Sequence, residues 1–305
     1  MPRWTDKSAL AASRLVNNTN RHVFLTGRAG TGKTTFLHDI YRRTHKNAIV
    51  AAPTGIAAIN AGGVTLHSLF QLPFGAYIPV ERPPDQSAHD FELNTPRTLR
   101  KHLKMNATKR NMLKNLELLI IDEVSMLRAD LLEAIDNVLR FIRRKNAAFG
   151  GVQLLLIGDL LQLPPVVKDG EWQYLKEHYK TMFFFGASAF AARPPIYLEL
   201  ETIYRQTDKT FISVLNRLRD GCVAPADIEL LNAYCRPEFK AAPGDGYVYL
   251  TTHNRKADRI NSEELDKLPG KIQRYSAEVD GTFDAHAFPI DPVLPLKEKA
   301  QVMFV

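Results

Sequence analysis

Two stretches, GRAGTGKTT at 27–35 and LLIIDEVSML at 118–127, carry the chemistry that this sequence offers. The first fits the pattern GxxxxGK[ST] through Gly27, Gly32, Lys33 and Thr34. Glycines let such a loop curl so that its N–H groups point at phosphate oxygens, and the helix that follows adds its partial positive charge. Gly27, Ala29, Gly30, Thr31, Gly32, Lys33, Thr34 and Thr35 are therefore the expected nucleotide-binding set. Lys33 is expected at the β- and γ-phosphates, and Thr34 at Mg²⁺ through its hydroxyl.

The second stretch is an apolar run ending in two acids. Asp122 is expected to hold the metal, while Glu123 orients and deprotonates a water. An N-cap after a strand would explain Asp122 alone, but not both acids in a chain that also carries a phosphate loop. A third run, LLLIGDLLQLPPV at 154–166, places Gln162 after a strand tip. An amide there can bond a γ-phosphate and report its loss. A surface-loop glutamine is the alternative.

Positioning these groups requires strands that end beside one another. HVFLTG (22–27), AIVAAP (48–53), LELLIIDE (116–123), VQLLLIGD (152–159) and IYLELE (196–201) read as buried strands. Continuous apolar strands alternating with helices predict an α/β fold with a parallel sheet covered on both faces. Residues 128–144 read as a helix burying Leu131, Ile135, Val138, Leu139 and Ile142. KTFISVLNRLRDG (209–221) reads as another, with Phe211, Val214, Leu215 and Leu218 as its buried stripe. Residues 71–114 break the rhythm with five prolines between 71 and 96 and then a basic run, and are expected to be an insertion on the sheet framework.

Lys and Arg total 40 against 33 Asp and Glu, a formal charge of +7, which permits a nucleic-acid partner and equally a solvated basic surface. Cys222 and Cys235 fit neither a CxxC pair nor a zinc framework, so reduced thiols are expected. The N-terminus lacks a signal-peptide core and no apolar run suits a membrane span, so a cytoplasmic, nucleoid-associated protein of prokaryotic type is expected.

Taken jointly, these segments resemble the PIF-type DNA helicases of the RecD-like branch of superfamily 1. GRAGTGKTT is similar to that family's first motif, and APTGIAAINAGGVTLHSLF (52–70) to its DNA-contacting motif. IIDEVSML and GDLLQLPPV resemble the second and third motifs, and LETIYRQTDKTFISVLNRLRDG (200–221) the fourth. LTTHNRKADRINSEELDKLPG (250–270) is like a later stretch in the second motor domain. The resemblance implies a P-loop NTPase with tandem RecA-like domains: a first over 1–200, and a second beginning at 201 and incomplete by 305. Within the first, 71–114 would supply a duplex-splitting wedge, or else a solvated charged helix. It implies an ATP- and Mg²⁺-dependent 5′-to-3′ helicase acting on single-stranded and forked or otherwise structured DNA as a monomer, in DNA repair, recombination or telomere maintenance.

Carried over residue by residue, the resemblance makes Lys33, Glu123, Gln162 and Arg205 catalytic, with Arg205 as the arginine finger from across the cleft. Tyr204 stacks on adenine or is a rim tyrosine. Pro53, Thr54, Gly55, Thr65, His67 and Ser68 become DNA contacts, joined by Thr252 and Asn254. Phe70 offers a stacking face or fills the core. Two departures stand out. No N-terminal glutamine reads adenine in SALAASRLVNN (8–18), and LKEKAQVMFV (296–305) stops where the family's last motifs should follow. A truncated chain is therefore expected, either an active motor portion or a nucleotide- and DNA-binding fragment without unwinding, with another P-loop DNA-dependent ATPase as the remaining alternative.

Overall fold

The structure, a computed structural model, describes residues 4, 6–81, 91–204, 208–239, 241–242, 245–278 and 291–302. The chain divides into two compact units, Met1–Cys222 and Val223–Val305.

The first unit is built on strands β1 (Val23–Gly27), β2 (Ala48–Ala52), β3 (Val64–Thr65), β6 (Leu118–Ile121), β7 (Gln153–Ile157) and β8 (Ile196–Leu200), with a short pair β4 (Ala76–Tyr77) and β5 (Leu93–Asn94) apart from them. Its helices are α1 (Lys7–Asn18), α2 (Lys33–Arg43), α3 (Gly55–Ala61), α4 (Leu66–Phe70), α5 (Pro96–His102), α6 (Ala107–Asn115), α7 (Ala129–Arg143), α8 (Asp169–Leu175) and α9 (Lys209–Arg219). The main sheet is six-stranded, in the order β3-β2-β6-β7-β1-β8, and every pairing is parallel. The first loop strand, β1, thus lies between β7 and β8, with β6 on the far side of β7.

Side chains alternate across a strand, and this sequence fills both faces. Leu118 and Ile120 of β6, with Leu155 and Ile157 of β7, point to a core containing Ala9, Ala12 and Val16 of α1 and Phe36, Leu37 and Ile40 of α2. Leu119, Ile121, Leu154 and Leu156 point the other way, against Leu132, Ile135, Val138 and Leu139 of α7 and the rings of Phe149, Phe184 and Phe190. Such two-sided burial is why these strands read as unbroken apolar runs.

α7 matches its expected register, though Leu131 is only partly buried. α9 does not: Val214 is buried, whereas Phe211, Leu215 and Leu218 are exposed. The stripe is real as a pattern, but only Val214 finds cover among the described residues of this unit. The described residues of 71–114 pack against the main core. Leu99 of α5 and Leu113 of α6 are buried there, and Arg97, Arg100, Lys101, Arg110 and Lys114 face solvent. The β4–β5 pair packs with Leu175 and Tyr179. α9 lies within the first unit, which ends at Cys222.

The second unit holds α10 (Pro225–Asn232), α11 (Asn254–Lys267) and an antiparallel pair of β9 (Gln273–Ser276) with β10 (Val293–Leu296). Both cysteines are free and exposed. Among the described residues, no helix is long and apolar enough to cross a membrane.

Candidate nucleotide and nucleic-acid sites

The chemistry gathers at the C-terminal ends of β1, β6 and β7. The loop after β1 turns into α2 through Gly32, whose φ of 86° is a left-handed conformation that an L side chain rarely adopts. Thr31 is buried and donates its hydroxyl to the Arg28 carbonyl at 2.9 Å. Lys33 Nζ bridges the loop's own carbonyls, donating to Gly27 O at 2.6 Å and Arg28 O at 3.1 Å. Its pKa is lowered, chiefly by burial, with Arg219 adding and Asp159, Glu123 and Asp122 opposing. Ala29, Thr34 and Thr35 are exposed, so the mouth of the loop is open.

β6 delivers the two acids. The Asp122 amide continues the ladder to Ala51 O at 3.0 Å, which fixes the residue at the strand tip. Its carboxylate is buried and accepts from the Glu123 amide at 3.0 Å. Burial, reinforced by the Glu123 charge, pushes its pKa up to about 6 against the pull of that amide, Lys33 and His38. Glu123 has φ 50°, a left-handed conformation costing roughly 1–2 kcal/mol for a residue with a Cβ. That turn breaks the strand abruptly and hands the chain to a one-turn 3₁₀ helix, Val124–Met126. Within it Ser125 is fully buried, and its hydroxyl has no hydrogen-bond partner.

A carboxylate stranded in this way, with the Thr34 hydroxyl at the start of α2, suits Mg²⁺, a hard cation that takes one or two protein oxygens and fills the rest with water and phosphate. Burial strands the charge of Asp122, and a cation would relieve it.

β7 brings a third group. Gly158 sits so close to the acid turn that a Cβ there would lie 2.9 Å from the Val124 amide nitrogen and 3.2 Å from that of Ser125. The buried Asp159 carboxylate accepts from Leu161 N at 3.2 Å, from Gln162 Nε2 at 3.1 Å and from Arg219 Nη1 at 2.8 Å through each oxygen. Burial works to raise its pKa; the Arg219 and Leu161 bonds outweigh that and hold it below the ordinary carboxylate value. Gln162 itself is exposed. Of these residues only Gln162 is expected from the sequence; Asp159, Arg219 and Gly158 emerge from the fold. The GD dipeptide before LLQLPP was a signal for the acid; nothing in LNRLRDG marked the arginine.

On the other side of the loop, the Tyr204 amide donates to Gly30 O at 2.8 Å, and its half-exposed ring lies beside Gly32. Arg205 lies outside the described residues.

The first-unit residues expected at DNA lie together after β2 and β3. β2 and β3 pair Ala52 with Thr65, which sets Pro53–Gly55 beside Thr65–Ser68. Thr54 and Thr65 are helix N-caps whose hydroxyl oxygens accept from Ala57 N at 3.3 Å and Ser68 N at 3.2 Å. Capping fixes these hydroxyls, while Gly55 and Ser68 stay exposed. His67 stacks on Phe74 with centroids 5.1 Å apart, and burial, followed by the charge of Arg128, lowers its pKa against Asp130. Phe70 is fully buried, so the core reading holds and no stacking face is available. Ile56 and Ile59 of α3 are also exposed and had not been foreseen. Thr252 and Asn254 are exposed residues of the second unit, with Asn254 opening α11.

A family model described as PIF1-like helicase matches residues 7–80 and 86–227. The chain belongs to the PIF1-like helicase family. It is similar to the human ATP-dependent DNA helicase PIF1, at 34% identity over 291 residues, covering 93% of this chain and 41% of that protein. Among solved structures, the Pif1 helicase from Bacteroides in complex with ADP-AlF3 and single-stranded DNA superposes with a TM-score of 0.80 at 38% identity, covering 97% of this chain and 64% of that one. A structure described as two coordinating Pif1 helicases unwinding forked double-stranded DNA gives 0.79 at 38% identity, covering 96% and 65%. The chain thus spans about two-fifths of the curated relative's length and about two-thirds of the solved chains. As a member of that family it has the α/β architecture that the alternating strands and helices predicted and the RecA-like fold that the resemblance implied.

Proposed function

We propose that this chain is the nucleotide- and DNA-binding portion of an ATP-driven DNA helicase that moves 5′ to 3′ along a single strand. The observation that carries the reading is the convergence of Lys33, Asp122, Glu123 and Gln162 beyond the C-terminal ends of β1, β6 and β7 in a chain of the PIF1-like family. Lys33 exchanges its loop carbonyls for the β- and γ-phosphates. Thr34 and Asp122 would hold Mg²⁺, which when bound would neutralise phosphate charge. Glu123 takes a proton from the attacking water, and Gln162 bonds that water and the γ-phosphate. Arg205 closes on the phosphate as charge builds there. Tyr204 holds the loop through its backbone and offers its ring to the base.

Pro53–Gly55 and Thr65–Ser68 grip the DNA backbone without reading sequence, and Thr252 and Asn254 add contacts from the second unit. Named relatives bound to single-stranded and forked DNA support that choice of partner. We take the working unit to be a monomer; light scattering with and without a fork tests this.

The deciding measurement is ATP hydrolysis by the whole protein with and without single-stranded DNA. DNA is expected to stimulate it strongly. Lys33→Ala should abolish turnover and nucleotide binding, and Glu123→Gln should lower kcat at least about a hundredfold while leaving binding intact. Equal hydrolysis with and without DNA would remove the translocase reading. Unwinding of a fluorescent fork then separates a helicase from a module that only binds.

A further inference from the structure

Gln162 carries an amide with two faces, and which one looks into the cleft decides what it can do. Its NH₂ donates to phosphate oxygens; its Oε1 accepts from water. The structure supplies a reason for one orientation. Gln162 Nε2 lies 3.1 Å from Asp159 Oδ2, and an ionised carboxylate only accepts hydrogen bonds. With Asp159 ionised, the NH₂ must therefore be the end that faces it. The second N–H and Oε1 are then both left for the cleft.

Asp159 is 1% exposed, and a lone carboxylate so buried would take up a proton. Arg219 prevents this. Its Nη1 lies 2.8 Å from both carboxylate oxygens, reaching from the end of α9 across 60 residues of sequence to the tip of β7. Arg219 is itself only about one-fifth exposed, and its pKa is raised by the same bond. Removal of the guanidinium would let Asp159 hold a proton and donate it, and the Gln162 amide would lose its reason to point one way.

We propose that Arg219 is a positioning residue for ATP hydrolysis, fixing the orientation of the Gln162 amide through Asp159. This rests on the reading of Gln162 as a γ-phosphate and water contact. Arg219 never touches the nucleotide in this arrangement. Its effect belongs to the chemical step and not to binding. It also places the donor of the γ-phosphate contact under the control of α9, the last helix before the chain leaves the first unit.

The test is a double-mutant cycle in the full-length protein, measuring DNA-stimulated kcat, KM for ATP and the Kd of a fluorescent ATP analogue. Arg219→Ala should lower kcat about tenfold or more, with KM and Kd changed less than about twofold. Arg219→Lys, which keeps a cation beside Asp159, should recover part of that loss. Gln162→Ala combined with Arg219→Ala should cost no more than the worse single change, since both act through one amide. Multiplying losses would overturn the proposal, as would an Arg219→Ala effect confined to KM. Where Arg219→Ala fails to fold, Arg219→Lys with Gln162→Ala closes the same cycle. A wild-type protein without DNA stimulation, or a Gln162→Ala variant at full kcat, would overturn the parent reading instead.

Discussion

Asp122 should make the empty protein less stable at neutral pH than it needs to be. Replacing it with asparagine removes the charge while keeping a carbonyl oxygen for the Glu123 amide. The folded pKa stands at about 6 against an ordinary 3.8, and burial is the main cause. That gap of about two pH units, at about 1.4 kcal/mol each, corresponds to about 3 kcal/mol. The sign follows from which state holds the proton more tightly. Here the folded state does, so the stabilisation from protonating Asp122 is complete below about pH 4 and lost as pH rises through about 6. At pH 7.5, without Mg²⁺ or nucleotide, Asp122→Asn should therefore stabilise the protein by up to about 3 kcal/mol. At pH 4.5 the gain should shrink to about 1 kcal/mol. Urea denaturation in EDTA at the two pH values measures both, with the midpoint shift read at constant slope. Saturating Mg²⁺ and a non-hydrolysable ATP analogue should reverse the order, because only wild type then gains from the cation. A variant no more stable than wild type at pH 7.5, or a gain independent of pH, would refute the account of Asp122 as a carboxylate stranded for a metal.

His22 should act oppositely in an overlapping window. It is buried, accepts from Leu154 N at 3.0 Å and has its pKa lowered to about 4 by burial and then by Arg193 and Arg21. Its contribution is present above about pH 6.5 and lost as pH falls toward 4, so His22→Gln should flatten the acid side of the stability profile, most visibly in an Asp122→Asn background. Ser125→Ala removes a buried hydroxyl without a partner and should raise stability by about 1 kcal/mol in thermal melts. Gly158→Ala forces a methyl to 2.9 Å from the Val124 nitrogen and should cost about 1–3 kcal/mol and much of kcat, checked by melting and steady-state ATPase.

The sequence revealed most where chemistry is local. The phosphate loop, the acid pair and Gln162 each sit within a few residues of the strand that presents them, and strand ends are marked by Gly, Pro or acid. Two-face burial of Leu118 to Ile121 was legible because both faces demand apolar side chains. Legibility failed where partners are distant. Asp159 and Arg219 meet only through the fold, and the Lys33 contacts to loop carbonyls are invisible in a motif. The stripe on α9 has helical spacing, but spacing says nothing about whether a neighbour exists to cover it. The prolines of 71–96 pointed to an interruption, yet Leu99 and Leu113 still reached the core, because a short helix needs only one apolar position to dock.

The bare backbone at Gly158 has a mechanical meaning. Side chains set between two segments rotate and so absorb small displacements. Between β7 and the Val124–Ser125 turn there is no such cushion, and the two main chains approach closely. Any shift of the acid turn must therefore appear, at nearly full amplitude, at the strand that carries Asp159. The contact works as a rigid stop, and its stiffness comes from an absent methyl group.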